Sequence, residues 1–149
     1  MMSVFPFGSC RTGVSSEEVK SQAHATYAYY RCVAESVRAH CLHATELGVE
    51  ATLAVGQWLC TLDFGGGFCA YCQQRSGIIL EHFIPLSLGG GTTVGNCVPN
   101  CYSCNSRKGN SRPDAVESIS REALERVRLY FASQRSCYES GDRSVQPLL

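Results

Sequence analysis

Two short cysteine motifs and one histidine between them carry most of the chemistry this chain can do. Cys69-Ala-Tyr-Cys72 and Cys101-Tyr-Ser-Cys104 are both C-x-x-C turns, and each can present two thiolates to a single tetrahedral Zn²⁺; four such ligands close a structural site. The span 73–100 between the pairs exceeds the usual ribbon spacing. An element must therefore be inserted there, with the metal clamping its base. That insert carries Glu81-His82 at the end of a β-prone run. A neutral imidazole, with an ordinary pKa near about 6.5, is suited to deprotonating water, although a histidine in such a place is often only structural. Two disulfides, or four unrelated buried thiols, are the plainer reading of the cysteine pairs.

The elements that must position these groups are legible in outline. Ser15 and Glu18 form a capping box, after which Val19, Ala23, Tyr27, Tyr30, Ala34, Val37 and Cys41 recur at helical spacing. This predicts a long helix from about Ser16 to Leu47, stopped at Gly48. A second helix is predicted to begin near Thr52, to bury Leu53, Trp58, Leu59 and Leu62, and to end at Gly65-Gly66-Gly67. Two β-prone runs follow, Gly77–Leu80 and Thr92–Val94, joined through Gly89-Gly90-Gly91, read as a flexible turn in a hairpin bracketed by the cysteine pairs. Asp114 and Glu117 suggest a cap for a last helix running to about Ser133 through Ile119, Leu124, Val127 and Phe131.

Length and composition frame these readings. The chain has 149 residues, 44% apolar and 17% charged, which suits one folded domain and not a disordered tail. The expected organisation is a single domain over residues 1–149: an N-terminal helical region 1–64, a metal-bearing core 65–113, and a C-terminal helix and tail 114–149. No stretch is apolar enough to span a membrane, and Met1 to Cys10 lacks the pattern of a signal peptide. An intracellular place, cytoplasmic or nucleoid-associated, is expected, where reduced cysteines ligate metals or lie buried. Thirteen basic and thirteen acidic residues cancel, so no global field draws the chain to nucleic acid. Residues 101–149 are mildly basic.

Leu80-Glu81-His82-Phe83-Ile84-Pro85, Gly89-Gly90, Asn96-Cys97-Val98, Cys101, Cys104, Asn105 and Lys108-Gly109 occur in a fixed order. This succession resembles the HNH endonucleases with the pattern E-H-x-x-P, G-G, N-x-V, C-x-x-C-N-x-x-K-G, matched across about residues 69–109. The resemblance implies an α+β fold in which a treble-clef-like zinc knuckle (Cys69, Cys72, Cys101, Cys104) encloses a ββα-metal motif flanked by N-terminal and C-terminal helices. It makes His82 the general base, Asn96 the residue that steadies the loop or the histidine, and Glu81 and Asn105 the ligands of a catalytic divalent cation. Many members carry Asp where this chain has Glu81. The implied activity is hydrolysis of DNA phosphodiester bonds to 5′-phosphate and 3′-hydroxyl ends.

That chemistry is coherent on general grounds. A phosphodiester is cleaved by an aligned, deprotonated water, with a cation absorbing charge on the phosphoryl oxygens. Mg²⁺ suits a site of few protein oxygens, and Mn²⁺ or Ca²⁺ could take the same place. Arg107, Lys108 and Arg112 lie just past the knuckle, where a helix start could aim them at phosphates; a solvated basic face is the rival reading. His24, His40 and His43 are assigned surface or packing roles on the first helix, and Cys41 with His43 does not share a helical face. Cys10, Cys32, Cys60, Cys97 and Cys137 show no ligand pairing. The alternatives to a nuclease are a noncatalytic zinc module binding nucleic acid or protein, and an interaction protein paired through its tyrosine-bearing helix as monomer or homodimer.

Overall fold

The computed structural model describes residues 15–75 and 77–139. Cys10 lies outside that range, and the side chain of Cys137 is outside the described set. Among the described residues the fold has four helices and one two-stranded antiparallel sheet: α1 (Ser16–Glu46), α2 (Val55–Phe64), β1 (Ile78–His82), β2 (Cys97–Cys101), α3 (Tyr102–Lys108) and α4 (Arg121–Glu139). The architecture is α+β, with single 3-10 turns at Leu86–Leu88 and Pro113–Ala115.

Helix α1 starts where the capping box places it. Ser15 Oγ accepts from the Glu18 N–H at 3.2 Å and the Ser15 N–H donates to the Glu18 carboxylate at 2.8 Å. Its buried face differs from the expected stripe. Every side chain described from Ser16 to Cys32 is exposed, Tyr27 and Tyr30 included, and burial begins at Val33, Val37 and Ala44. Tyrosines and alanines at helical spacing make a pattern without requiring a partner, and only the second half of α1 meets one. There Val33 and Val37 join Leu53, Trp58, Leu80 and Cys97 in one apolar cluster.

The strand pair also departs from expectation. β1 is extended through Glu81 and His82, and its partner is Cys97–Cys101, not Thr92–Val94. The register pairs His82 with Cys97, Leu80 with Pro99 and Ile78 with Cys101. Alternation along a strand then sends Glu81, across from Val98, to the opposite face from His82. Thr92 pairs instead with Ala51 in an isolated parallel bridge to the α1–α2 connection. A β-branched residue favours extended backbone whichever neighbour supplies the bonds, so the run of threonines marked conformation and not the partner.

On the far side of the sheet, Ala123, Leu124, Val127, Tyr130 and Phe131 of α4 pack with Val98, Phe83 and the thiols of Cys69, Cys101 and Cys104. α4 begins later than Asp114 and Glu117 suggested: Pro113–Ala115 is a 3-10 turn, and Ser120 Oγ caps the helix by accepting from the Ala123 N–H at 3.1 Å. Thr61 of α2 reaches across to Tyr130 of α4, hydroxyl to hydroxyl at 2.6 Å. Among the described residues no helix is long and apolar enough to cross a membrane.

The triple-glycine turn is close-packed, not loose. A Cβ at Gly90 would overlap the Ile84 carbonyl and lie 2.9 Å from Asn96 Nδ2, and one at Gly91 would lie 2.7 Å from the Glu50 carbonyl oxygen. Gly89, at φ +83°, faces open space. Gly90→Ala is therefore expected to destabilise the fold by at least about 2 kcal/mol, through overpacking against backbone that has nowhere to go. Gly89→Ala should cost only about 1 kcal/mol of left-handed strain. Urea unfolding of the two variants beside the wild type checks the order; equal losses would contradict the packing.

Candidate metal centre and active-site cleft

Cys69 and Cys72 sit on a tight turn closed by the Gln73 N–H to the Cys69 carbonyl at 3.0 Å, with Gln73 at φ +61°. Cys101 ends β2 and caps α3, its Sγ accepting from the Cys104 N–H at 3.4 Å. The four ligand sulfurs lie within 4.8 Å of one another. Cys72 and Cys101 Sγ are 3.7 Å apart. A disulfide needs about 2.05 Å, whereas a tetrahedron with Zn–S bonds of about 2.3 Å has edges of about 3.8 Å. None of the eight described cysteines is in a disulfide, and the mutual spacing of these four sulfurs suits a shared metal rather than two S–S bonds. The donor set fits a metal ion, and zinc is the ion that four thiolates suit.

A buried polar atom supports the same fit. Asn100 is fully buried, with Oδ1 3.3 Å from Cys69 Sγ and Nδ2 without a partner. A metal-bound thiolate has no proton to give. With the amide turned over, Nδ2 becomes an N–H donor to that sulfur, the second contact that metal thiolates commonly receive.

Beside this cluster a cleft of about 790 Å³ runs between α1 and the β1 strand. Its walls include Ser36 and His40 of α1, Trp58 of α2, Glu81 of β1 and Asn105 of α3. Glu81 and Asn105 thus share one wall system. The Glu81 Oε1 accepts from Lys108 Nζ at 2.6 Å, and the lysine side chain is wholly buried. This separates the basic trio: Lys108 has its ammonium committed inside the fold, while Arg107 and Arg112 remain exposed, held to Ser103 and Asp114. The reason is the helix position. α3 starts at Tyr102, so residues 107 and 108 fall in its last turn, one facing water and the other the strand.

Asn96 is fully engaged in the loop between the strands. Its Oδ1 accepts from the Ile84 N–H at 2.8 Å, and its Nδ2 donates to the carbonyls of Ile84 at 2.9 Å and Gly91 at 2.8 Å. Of the two tasks envisaged for it, these bonds serve the loop. They do not touch the histidine.

His82 is 8% exposed. Its Nε2 lies 2.9 Å from Thr92 Oγ1, and Thr92 Oγ1 donates to the His40 carbonyl at 3.1 Å. The His40 ring lies 5.5 Å from the His82 ring, centroid to centroid. Burial, then the neighbouring positive charge of His40, Lys108 and His43, pushes the His82 pKa down to about 4 from 6.5. Thr92 and Asn100 escaped sequence reasoning, while His40, given a surface or packing role, packs its half-buried ring against His82. Thr92 was absorbed into a strand. Asn100, one residue before Cys101, was the one with a usable signal.

Residues 69–118 match the model of the HNH endonuclease family. No curated protein matches the chain, and no solved structure does. The matched segment holds both cysteine pairs, the Glu81-His82 pair, Asn96 and Asn105, so the resemblance read from the sequence is shown for this region. An HNH endonuclease domain supports a nuclease-type function and implies a nucleic-acid substrate. α1 and α2 lie outside the match.

Two outcomes follow for this site. Purified protein should carry about one zinc per chain, lost in Cys101→Ser but kept in Cys97→Ser, with a loss of folding free energy on the order of 10 kcal/mol when the metal is stripped; metal analysis and unfolding curves check both. Because the folded chain keeps His82 neutral where the unfolded chain protonates it, this group's stability contribution is present above about pH 6.5 and is lost as pH falls toward 4. An NMR titration should place the ring midpoint well below 6.5. A midpoint at or above that value contradicts the buried geometry.

Proposed function

We propose that this chain is a metal-dependent endonuclease that hydrolyses DNA phosphodiester bonds, with His82 as general base and Glu81 and Asn105 as the protein ligands of a catalytic divalent cation. The observation that carries it is the placement of Glu81 and Asn105 on one cleft, with both of them and the adjacent His82 inside the segment matching the HNH endonucleases. Glu81 and His82 leave β1 on opposite faces at the strand's end, so a phosphate lying across that end has the base on one side and the carboxylate on the other. Lys108 occupies one Glu81 oxygen and leaves the second for a cation. A bound Mg²⁺ or Mn²⁺ would absorb charge on the phosphoryl oxygens. The residues do the remainder: His82 takes a proton from water as its oxygen attacks phosphorus, and the departing 3′-oxygen is protonated from solvent. Asn96 fixes the loop that carries the histidine's backbone, and Arg107 and Arg112 are the exposed cations available to neighbouring phosphates.

This reading treats residues 1–149 as one domain whose helices before 65 and after 113 support the metal-bearing core. The burial of His82 and the neutralising of Glu81 by Lys108 are the observations that favour a noncatalytic zinc module instead. Nicking of supercoiled plasmid by zinc-loaded, folded protein separates the two. With Mg²⁺ or Mn²⁺ the wild type should cut, EDTA should stop it, and His82→Ala should lower the rate by at least about 100-fold. A folded wild type that cuts neither plasmid nor single-stranded or branched DNA ends the nuclease reading.

A further inference from the structure

Thr92 is fully buried and held by three backbone bonds to the α1–α2 connection: its N–H donates to the Glu50 carbonyl at 2.7 Å, and its carbonyl accepts from the Thr52 and Leu53 N–H groups at 3.0 Å each. Its hydroxyl has one proton. The His40 carbonyl can only accept, so that proton is spent there, at 3.1 Å. The remaining contact, 2.9 Å to His82 Nε2, then requires the imidazole to be the donor and the hydroxyl oxygen the acceptor.

We propose that Thr92 is a positioning residue that fixes His82 as the Nε2–H tautomer and so leaves Nδ1 as the nitrogen that accepts the proton from water. The assignment rests on the nuclease reading for its catalytic meaning, while the tautomer itself rests only on the hydrogen-bond chain. It also makes α1 part of the site, because the chain ends on a helical carbonyl outside the segment that matches the HNH endonucleases. With the proton on Nδ1 instead, Nε2 would be an acceptor only, so the single Thr92 proton could serve either the ring or the His40 carbonyl and the other contact would set two lone pairs against each other. Side-chain partners of this kind orient a histidine without touching substrate.

The test uses the zinc-loaded full chain labelled with ¹⁵N in its histidine rings. Wild type should show the His82 shifts of an Nε2–H, Nδ1-unprotonated ring near neutral pH. Thr92→Val, nearly isosteric, should mix the tautomers and slow plasmid nicking by about tenfold or more, a part of what a general base contributes. Thr92→Ser, which keeps the hydroxyl, should restore both the ring shifts and most of the rate. An Nδ1–H ring in the wild type overturns the proposal whether or not any variant folds. So does a Thr92→Val protein that keeps both the wild-type ring shifts and the wild-type rate. If the wild type fails to cut any DNA, the catalytic meaning falls with the nuclease reading, and the ring shifts still decide the tautomer.

Discussion

Cys101 holds three positions at once, and the geometry around it constrains everything downstream. It is the last residue of β2, the N-cap of α3 and one of four sulfurs within 4.8 Å of each other. α3 has only seven residues, too few to be stable through its own hydrogen bonds. Its axis must be set from outside, and a cation bridging Cys101 and Cys104 to Cys69 and Cys72 would set it at the first turn. Asn105 follows Cys104 directly, and Lys108 lies three residues further on the same helical face. The position of one cleft-lining amide and of the lysine that grips Glu81 is thus inherited from the thiol cluster.

Electrostatics inside this frame is arranged in opposed pairs. Lys108 has no exposed side-chain surface and Glu81 very little. Removing either partner would strand a buried charge, which typically costs more than the intact pair gains. The lysine leaves one Glu81 carboxylate oxygen uncommitted. On the other face of the sheet, the low dielectric and neighbouring cationic groups hold His82 neutral. A neutral imidazole is the form that can accept a proton. The same burial that keeps the ring unprotonated lowers its basicity and restricts water's access to it.

What the sequence disclosed and what it hid divide along a physical line. Cys69, Cys72, Cys101 and Cys104 were legible because ligand spacing is local: a C-x-x-C turn presents its sulfurs together whatever surrounds it. The capping box at Ser15 and Glu18 was legible for the same reason. Partners fixed only by tertiary packing were not. Thr92–Val94 is the β-prone run, whereas Cys97–Cys101 carries Pro99 and Asn100, which strands disfavour, and nothing local says that Thr92 pairs with Ala51 and β2 with β1. Lys108 looked like a surface cation because lysines usually are; its burial depends on Glu81 being opposite α3. The tyrosine stripe of α1 showed the converse error, an amphipathic pattern whose first half meets no partner among the described residues.

The two supports of the cleft come from different parts of the chain. Glu81 and Asn105 are held from the thiol-cluster side, through α3 and Lys108. His82 is held from the α1–α2 side, through Thr92 and the apolar contacts of Val33 and Val37 with Leu80 and Cys97. The five residue pairs of the β1–β2 ladder join the two sides, along with the Thr61–Tyr130 bond from α2 to α4. A slip of one residue in that ladder would exchange the faces of Glu81 and His82 and separate each from its support. Asn96 guards against it: by bonding the backbone of Ile84 and Gly91 it sets the path of the loop that joins the strands. Gly90 lets that loop pass where a side chain cannot. The asparagine and the glycine therefore act on the site through register, at a distance from the groups that face the cleft.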